Sequence, residues 1–325
     1  MNTERANYIS FLRCVAILLI TNSHINHLYP ASISQLATGG AMGNALFFML
    51  SGYGLALSKK SINIRFLPWY KRRVARIYPS LTLATLFIVF IPKKAWFDWT
   101  IFDYIYHLIW PTHAWFISAL MIFYIVSFFL LKKQNHNLFI PAILALVIPY
   151  LIFYFTIVDL SHYSIEGAGY FKWLFYLQTM LFGAYLAHRE DLLNKNSFLL
   201  NGITLILLIL LYYSFLLLID RGYGSKFQFL THILMFAIIY FFLKLSYSKF
   251  VSGQLMNLKY FGTIVSLIAS LTLEMYLLQG TVYSLAFLKT ILFPLNIIVF
   301  FTILLALSFI LNKIAHFITS KLIHA

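Results

Sequence analysis

The chain has 325 residues, of which 62% are hydrophobic and only 10% charged, and its mean hydropathy is +0.85. A water-soluble protein of this length needs far more polar surface, so the composition excludes that class and indicates an all-α, polytopic membrane protein. The net charge of +15 is spread over the segments between apolar runs, which argues against nucleic-acid binding, and the single cysteine, Cys14, leaves no internal disulfide to form.

Ten apolar segments follow one another, at roughly 8–28, 41–58, 77–92, 114–131, 138–158, 171–188, 198–219, 228–244, 262–282 and 292–312. They do not alternate with period two, which speaks against a β-barrel. No small-residue cleavage site follows the first segment, so it reads as a retained span rather than a removed signal peptide. With a cytoplasmic N-terminus, seventeen Lys and Arg residues fall inside and six fall outside or at outer boundaries. That asymmetry predicts both termini in the cytoplasm. No linker, low-complexity tract or internal repeat divides the chain, which reads as one membrane domain over 1–325 without a soluble extension.

The first segment carries Arg13 and, eleven residues on, His24. At about 100° and 1.5 Å per residue they return to one helix stripe, roughly 16 Å apart along the axis. Ionisable groups in a span are costly and usually functional. Histidine is the natural general base near neutral pH; the plainer reading is an interfacial histidine bonded to a neighbouring helix. The polar run Thr21-Asn22-Ser23 precedes His24, and His27 lies one turn beyond as its competitor.

The second segment closes on Phe47-Phe48-Met49-Leu50-Ser51-Gly52-Tyr53-Gly54, whose small residues suit either close helix packing or a backbone-lined cavity. Next comes Lys71-Arg72-Arg73-Val74-Ala75-Arg76-Ile77-Tyr78-Pro79. On a helix, Arg73 and Arg76 would be neighbours, with Arg72 in reach of Arg76. Guanidinium forks suit phosphate oxygens, although basic stretches beside a span also fix topology and touch anionic lipid.

The fourth segment opens on His113-Ala114-Trp115-Phe116, which by itself reads as an interface anchor. The outer-loop acids Asp98, Asp103, Asp159 and Glu166 show no metal-ligand spacing, and no metal is expected. The ninth segment holds Glu274 in Ser270-Leu-Thr-Leu-Glu274-Met-Tyr276-Leu-Leu-Gln279. A carboxylate there should face the protein interior and find a partner, with His24, Arg13 or a cytoplasmic-side arginine as candidates. A structural ion pair and a catalytic role both fit.

Taken in order, these stretches resemble the acyltransferase-3 family of integral membrane acyltransferases, which modify bacterial surface sugars. The resemblance rests on Phe11-Leu12-Arg13 with His24, on Leu46 to Tyr53, on Arg73-x-x-Arg76 with Pro79, on Trp115-Phe116 with Phe123-Tyr124, and on Ser270 to Leu278. It covers essentially the whole chain. Where many relatives have a histidine after the late tyrosine–leucine pair, this chain has Gln279.

The resemblance implies transfer of an acetyl or other short acyl group from cytosolic acetyl-coenzyme A to a saccharide hydroxyl at the outer face of a bacterial cell membrane. Arg72, Arg73 and Arg76 would hold the donor's phosphates and Arg13 its charge along the path. His24 would act as base or carry the acyl group briefly, and Glu274 would orient it. Ser51, Tyr53, Trp115 and Tyr276 would line the substrate path. Membrane lipid and the saccharide acceptor are the expected partners. A transporter, flippase or export partner for a lipid-linked saccharide is the alternative.

Overall fold

The computed structural model describes residues 3–58, 64–90, 100–110, 114–194 and 197–324. Asp98 and His113 lie outside the described residues. Among those residues there is no strand, and the longer helices are α1 (Thr3–Ser23), α2 (Gly40–Leu57), α3 (Phe66–Phe90), α4 (Ile101–Ile109), α5 (Trp115–Lys132), α6 (Phe139–Ile157), α7 (Phe171–Ala187), α8 (Phe198–Asp220), α9 (Phe229–Tyr247), α10 (Lys259–Ser270), α11 (Thr272–Tyr283) and α12 (Leu295–His324). Among the described residues each apolar segment falls largely on helix. Seven described helices are long and apolar enough to cross a membrane, or eight if α10 and α11 form one broken span.

Two segment boundaries differ from expectation. The third segment does not begin at 77: α3 starts at Phe66, so the arginine stretch is itself helical. The ninth is not one straight helix. Leu271 (φ −100°, ψ 8°) leaves helical geometry and divides it into α10 and α11.

Burial shows which solvent the protein expects. On α6 and α8, Leu144, Ile148, Phe155, Ile206 and Leu210 are each more than half exposed. Apolar side chains at that density outside a helix are stable only against lipid.

The residues divide into two compact units. The first comprises Met1–Ala16, Ala41–Asn63 and Val126–Ala269. Its tightest crossing is between α2 and α7. A Cβ on Gly52 would lie 1.8 Å from the Met180 carbonyl oxygen, and one on Gly183 would lie 1.9 Å from that of Met49. Each glycine therefore admits the other helix's backbone, as small residues do where membrane helices approach closely. Phe48 and Tyr176 fill the space beside the crossing, with ring centroids 5.2 Å apart. Arg5 pairs with Glu190 at one end of this unit, and Tyr8 shares a 2.8 Å hydrogen bond with Tyr53.

The loop between α6 and α7 is bound to the start of α9 by one amide. Gln228 Oε1 accepts from the Ser164 and Ile165 backbone at 2.9 Å each, and its Nε2 donates to the Asp159 and His162 carbonyls. A fully buried amide with every hydrogen bond made fixes that loop firmly.

The second unit comprises Ile17–Gly40, Ile64–Ile125 and Ser270–Ala325. Here α3, α11 and α12 pack on one another. Pro79 lies inside α3 and has no N–H to offer the carbonyl four residues back, Ala75. The Thr319 hydroxyl of α12, which donates to the Ala315 carbonyl of its own helix at 2.8 Å, lies 3.4 Å from that freed carbonyl, so the two helices approach each other where the proline leaves it open. After α1, Asn22 holds the following loop. Its Nδ2 donates to the Leu36 and Thr38 carbonyls, and its Oδ1 accepts from Tyr29 at 2.6 Å.

Candidate active site

The second unit contains most of the chemically promising side chains. His24 follows directly on α1, where its backbone closes the last turn onto the Thr21 carbonyl. Its ring is open to solvent and has no hydrogen-bond partner among the described residues. The apolar mass behind it nonetheless lowers its pKa below the ordinary imidazole value, which favours the neutral form that accepts a proton. His27 is committed elsewhere. Its Nε2 lies 3.1 Å from the Tyr283 carbonyl, and its ring meets the Tyr283 ring edge-on at 5.5 Å. Of the two histidines that compete in sequence, only His24 is available.

Arg72, Arg73 and Arg76 share two turns of α3. None has a carboxylate partner among the described residues. Arg72 Nε reaches only its own helix, at the Pro68 carbonyl. Arg73 is half-buried, its guanidinium 5.0 Å from the Trp69 ring centroid, and its Nε is buried without a partner. Trp69 in turn stands edge-on to Tyr124 at 6.0 Å. Among the described residues no acid side chain bonds to these three guanidinium groups.

Glu274 lies in the first turn of α11, where the partial positive charge of a helix start favours a carboxylate. It is 3% exposed. Its partner is not one of the cations expected from sequence but Ser80 of α3, whose hydroxyl donates to Oε1 at 2.7 Å. The other oxygen, Oε2, is buried and unbonded. The break at Leu271 gives the carboxylate this position at a helix start, since a continuous helix would have no free N–H groups there. Gln279, on the same helix, is also buried with an unbonded oxygen.

Trp115 and Tyr276 are brought together through Phe116. Trp115 meets the Phe116 ring edge-on at 6.2 Å, and Phe116 meets Tyr276 at 5.4 Å.

Arg13, Ser51 and Tyr53 fall in the first unit. Arg13 is half-buried on α1. Ser51 turns its hydroxyl back to the Phe47 carbonyl at 2.9 Å. Tyr53 is fully buried and bonded to Tyr8, which makes it part of the packing around Gly52. The first unit also holds a polar cluster that the sequence did not reveal. Glu166, one of the scattered outer-loop acids, meets His232 Nε2 at 3.1 Å and the Tyr176 hydroxyl at 2.8 Å, and His232 Nδ1 meets Tyr150 at 2.8 Å. No group of three or more metal-ligating side chains occurs among the described residues.

The second unit thus holds three arginines on one stretch of helix, a histidine ring and a buried carboxylate. Residues 6–313 match the family model described as an acyltransferase domain. The chain belongs to the acyltransferase-3 family. It is a membrane acyltransferase, and the match takes in residues of both units. No curated protein matches the chain, and no solved structure does. For an acyltransferase the free ring of His24 gains a specific meaning. Acyl transfer needs a base for the attacking hydroxyl, and of His24 and His27 the described contacts engage only His27.

Proposed function

We propose that this acyltransferase moves an acetyl or other short acyl group from cytosolic acyl-coenzyme A to a hydroxyl of a cell-surface or lipid-linked saccharide in a bacterial cell membrane. The observation that carries the donor assignment is the Arg72, Arg73 and Arg76 group, three cations in two turns without a carboxylate partner among the described residues. The diphosphate and ribose phosphate of coenzyme A are anions of the kind such a group binds. Arg13, on the same helix that leads to His24, would meet ligand charge along the path.

In the reaction, the neutral His24 ring takes the proton of the acceptor hydroxyl as its oxygen attacks the thioester carbonyl carbon. The carbon–oxygen bond forms and the carbon–sulfur bond breaks. The thiolate leaves and receives the proton from the imidazolium, so no metal or redox partner is needed. Glu274 offers its unbonded Oε2 as a proton or hydrogen-bond acceptor, held in place through Oε1 by Ser80. Within the second unit Trp115 and Tyr276 would contribute to the shape of the substrate path.

The test is turnover of acetyl-coenzyme A by the purified protein in lipid, read as thiol release, with wild type beside His24→Ala. Slow donor hydrolysis that is lost in the variant while acetyl-coenzyme A still binds would support the assignment. Neither binding nor turnover of any acyl-coenzyme A would overturn the donor.

A further inference from the structure

α12 is 30 residues long, about 45 Å at 1.5 Å per residue. The hydrocarbon core is roughly 30 Å thick and needs about 20 residues. Counted from Leu295, the crossing therefore ends close to Lys313, and the turns from there to Ser320 lie at the level of the lipid headgroups. One side of α12 is packed, with Phe300, Leu304, Ser308, Leu311 and Ala315 all buried. The adjoining side carries Asn312, Lys313, His316, Phe317 and Ser320, which together line a concavity of about 390 Å³.

The surroundings of this concavity are apolar and exposed: Phe309, Ile310, Ile314 and Phe317 are each between 45% and 60% exposed. They face acyl chains rather than a soluble ligand. The Lys313 ammonium does not point away from them. It lies 5.3 Å from the centroid of the Phe309 ring, one turn back toward the hydrocarbon. No carboxylate side chain occurs anywhere between 275 and 325, and neither Lys313 nor His316 has a hydrogen-bond partner among the described residues. A cation at an apolar boundary with no internal counter-charge is costly. A phosphate at that depth removes the cost.

We propose that the C-terminal turns of α12 hold a binding site for the phosphate of an anionic membrane lipid. Lys313 supplies the charge and His316 a ring N–H, while the Asn312 amide and Ser320 hydroxyl meet the glycerol or headgroup oxygens. Ser320 already donates to the Phe317 carbonyl at 2.8 Å, so it can take a headgroup hydroxyl only as acceptor. Ser320 follows Thr319, which reaches Ala75 beside the α3 arginines, so the two cationic groups lie on packed helices; the proposal does not depend on the acyl-coenzyme A reading.

The experiment is thermal unfolding of the full-length protein in non-ionic detergent. Short-chain phosphatidylglycerol, short-chain phosphatidylcholine and inorganic phosphate are each titrated in. Wild type is compared with the double variant Lys313→Gln/His316→Gln, with Lys313→Arg, and with Arg72→Gln/Arg76→Gln. Phosphatidylglycerol should raise the wild-type midpoint by about 2–5 °C at saturation. The rise should persist in Lys313→Arg and in the Arg72/Arg76 variant and vanish in Lys313→Gln/His316→Gln. An equal rise with phosphatidylcholine, an equal rise with inorganic phosphate, or a rise unchanged in Lys313→Gln/His316→Gln would each overturn the proposal. Loss of the rise only in the Arg72/Arg76 variant would overturn it as well, by placing the phosphate at the α3 arginines.

Discussion

The Ser80 hydroxyl donates to one oxygen of Glu274 at 2.7 Å, while the other oxygen of that carboxylate is shut away from solvent with no donor. A hydrogen bond to a charged group contributes about 1.5–3 kcal/mol, and an unmet buried acceptor costs about 1–3 kcal/mol. The site therefore keeps one acceptor fixed and one open. Ser80→Ala leaves both unmet and should lower the unfolding midpoint by several degrees, as read by calorimetry in detergent. Glu274→Gln keeps the size and still offers an oxygen to Ser80. It should hold the midpoint yet cut acyl transfer by about 100-fold or more if Glu274 moves a proton. Wild-type turnover in Glu274→Gln would make the carboxylate purely structural.

His24 and His27 sit one turn apart but differ in occupation, since only His27 is bonded, to Tyr283. His24→Ala should reduce transfer by about 10²–10⁴-fold with the fold intact. His27→Ala should change the stability of the loop more than the rate. The pH profile carries the same assignment. Burial lowers the His24 pKa, so the neutral base survives into mildly acidic solution. Activity should fall only as pH drops below the ordinary imidazole value of about 6.5. A limb centred above that value would assign the base to another group.

The reciprocal fit of Gly52 and Gly183 makes a sharp stability prediction. At either position a methyl group would sit within 2 Å of the opposite helix's carbonyl oxygen, which is backbone and cannot swing aside. Gly183→Ala should push α2 and α7 apart and abolish well-dispersed protein in size-exclusion chromatography. Gly54→Ala is the control, because nothing lies within 4 Å of a Cβ there. Equal behaviour of the two variants would refute the crossing.

The helical segments were legible because a membrane span must be apolar over nearly its whole length, whatever its neighbours. The arginine group, His24 and Glu274 were legible because charge inside such runs is rare. The break at Leu271 left no trace: Ser270-Leu271-Thr272 contains neither glycine nor proline. Ser80 was invisible as a partner, since a serine in a helix most often bonds its own backbone. Packing was the default reading for Gly52, with a backbone-lined cavity as the alternative, and the position of Gly183 shows which backbone it admits. Glu166 was read as a scattered acid because its partners, Tyr176 and His232, lie 10 and 66 residues away.

That last cluster yields a prediction about acid stability. Glu166 is enclosed, which alone would raise its pKa, but the bonds from His232 and Tyr176, with Lys172 nearby, hold it below the ordinary carboxylate range. A carboxylate whose pKa is depressed on folding contributes stability above its unfolded value, about 4.3, and loses it as pH falls through the folded value. Glu166→Gln removes the charge that His232 and Tyr176 were placed to meet. It should therefore lower the unfolding midpoint at pH 7. The gap between variant and wild type should shrink as the pH is lowered through the carboxylate range, because wild-type Glu166 then becomes neutral as well. Gln228→Ala acts on the same loop through an uncharged amide that makes four hydrogen bonds. Its destabilisation should not vary with pH in that range. A pH-dependent loss in Gln228→Ala equal to that in Glu166→Gln would mean that the loop, and not the Glu166 charge, is what acid releases.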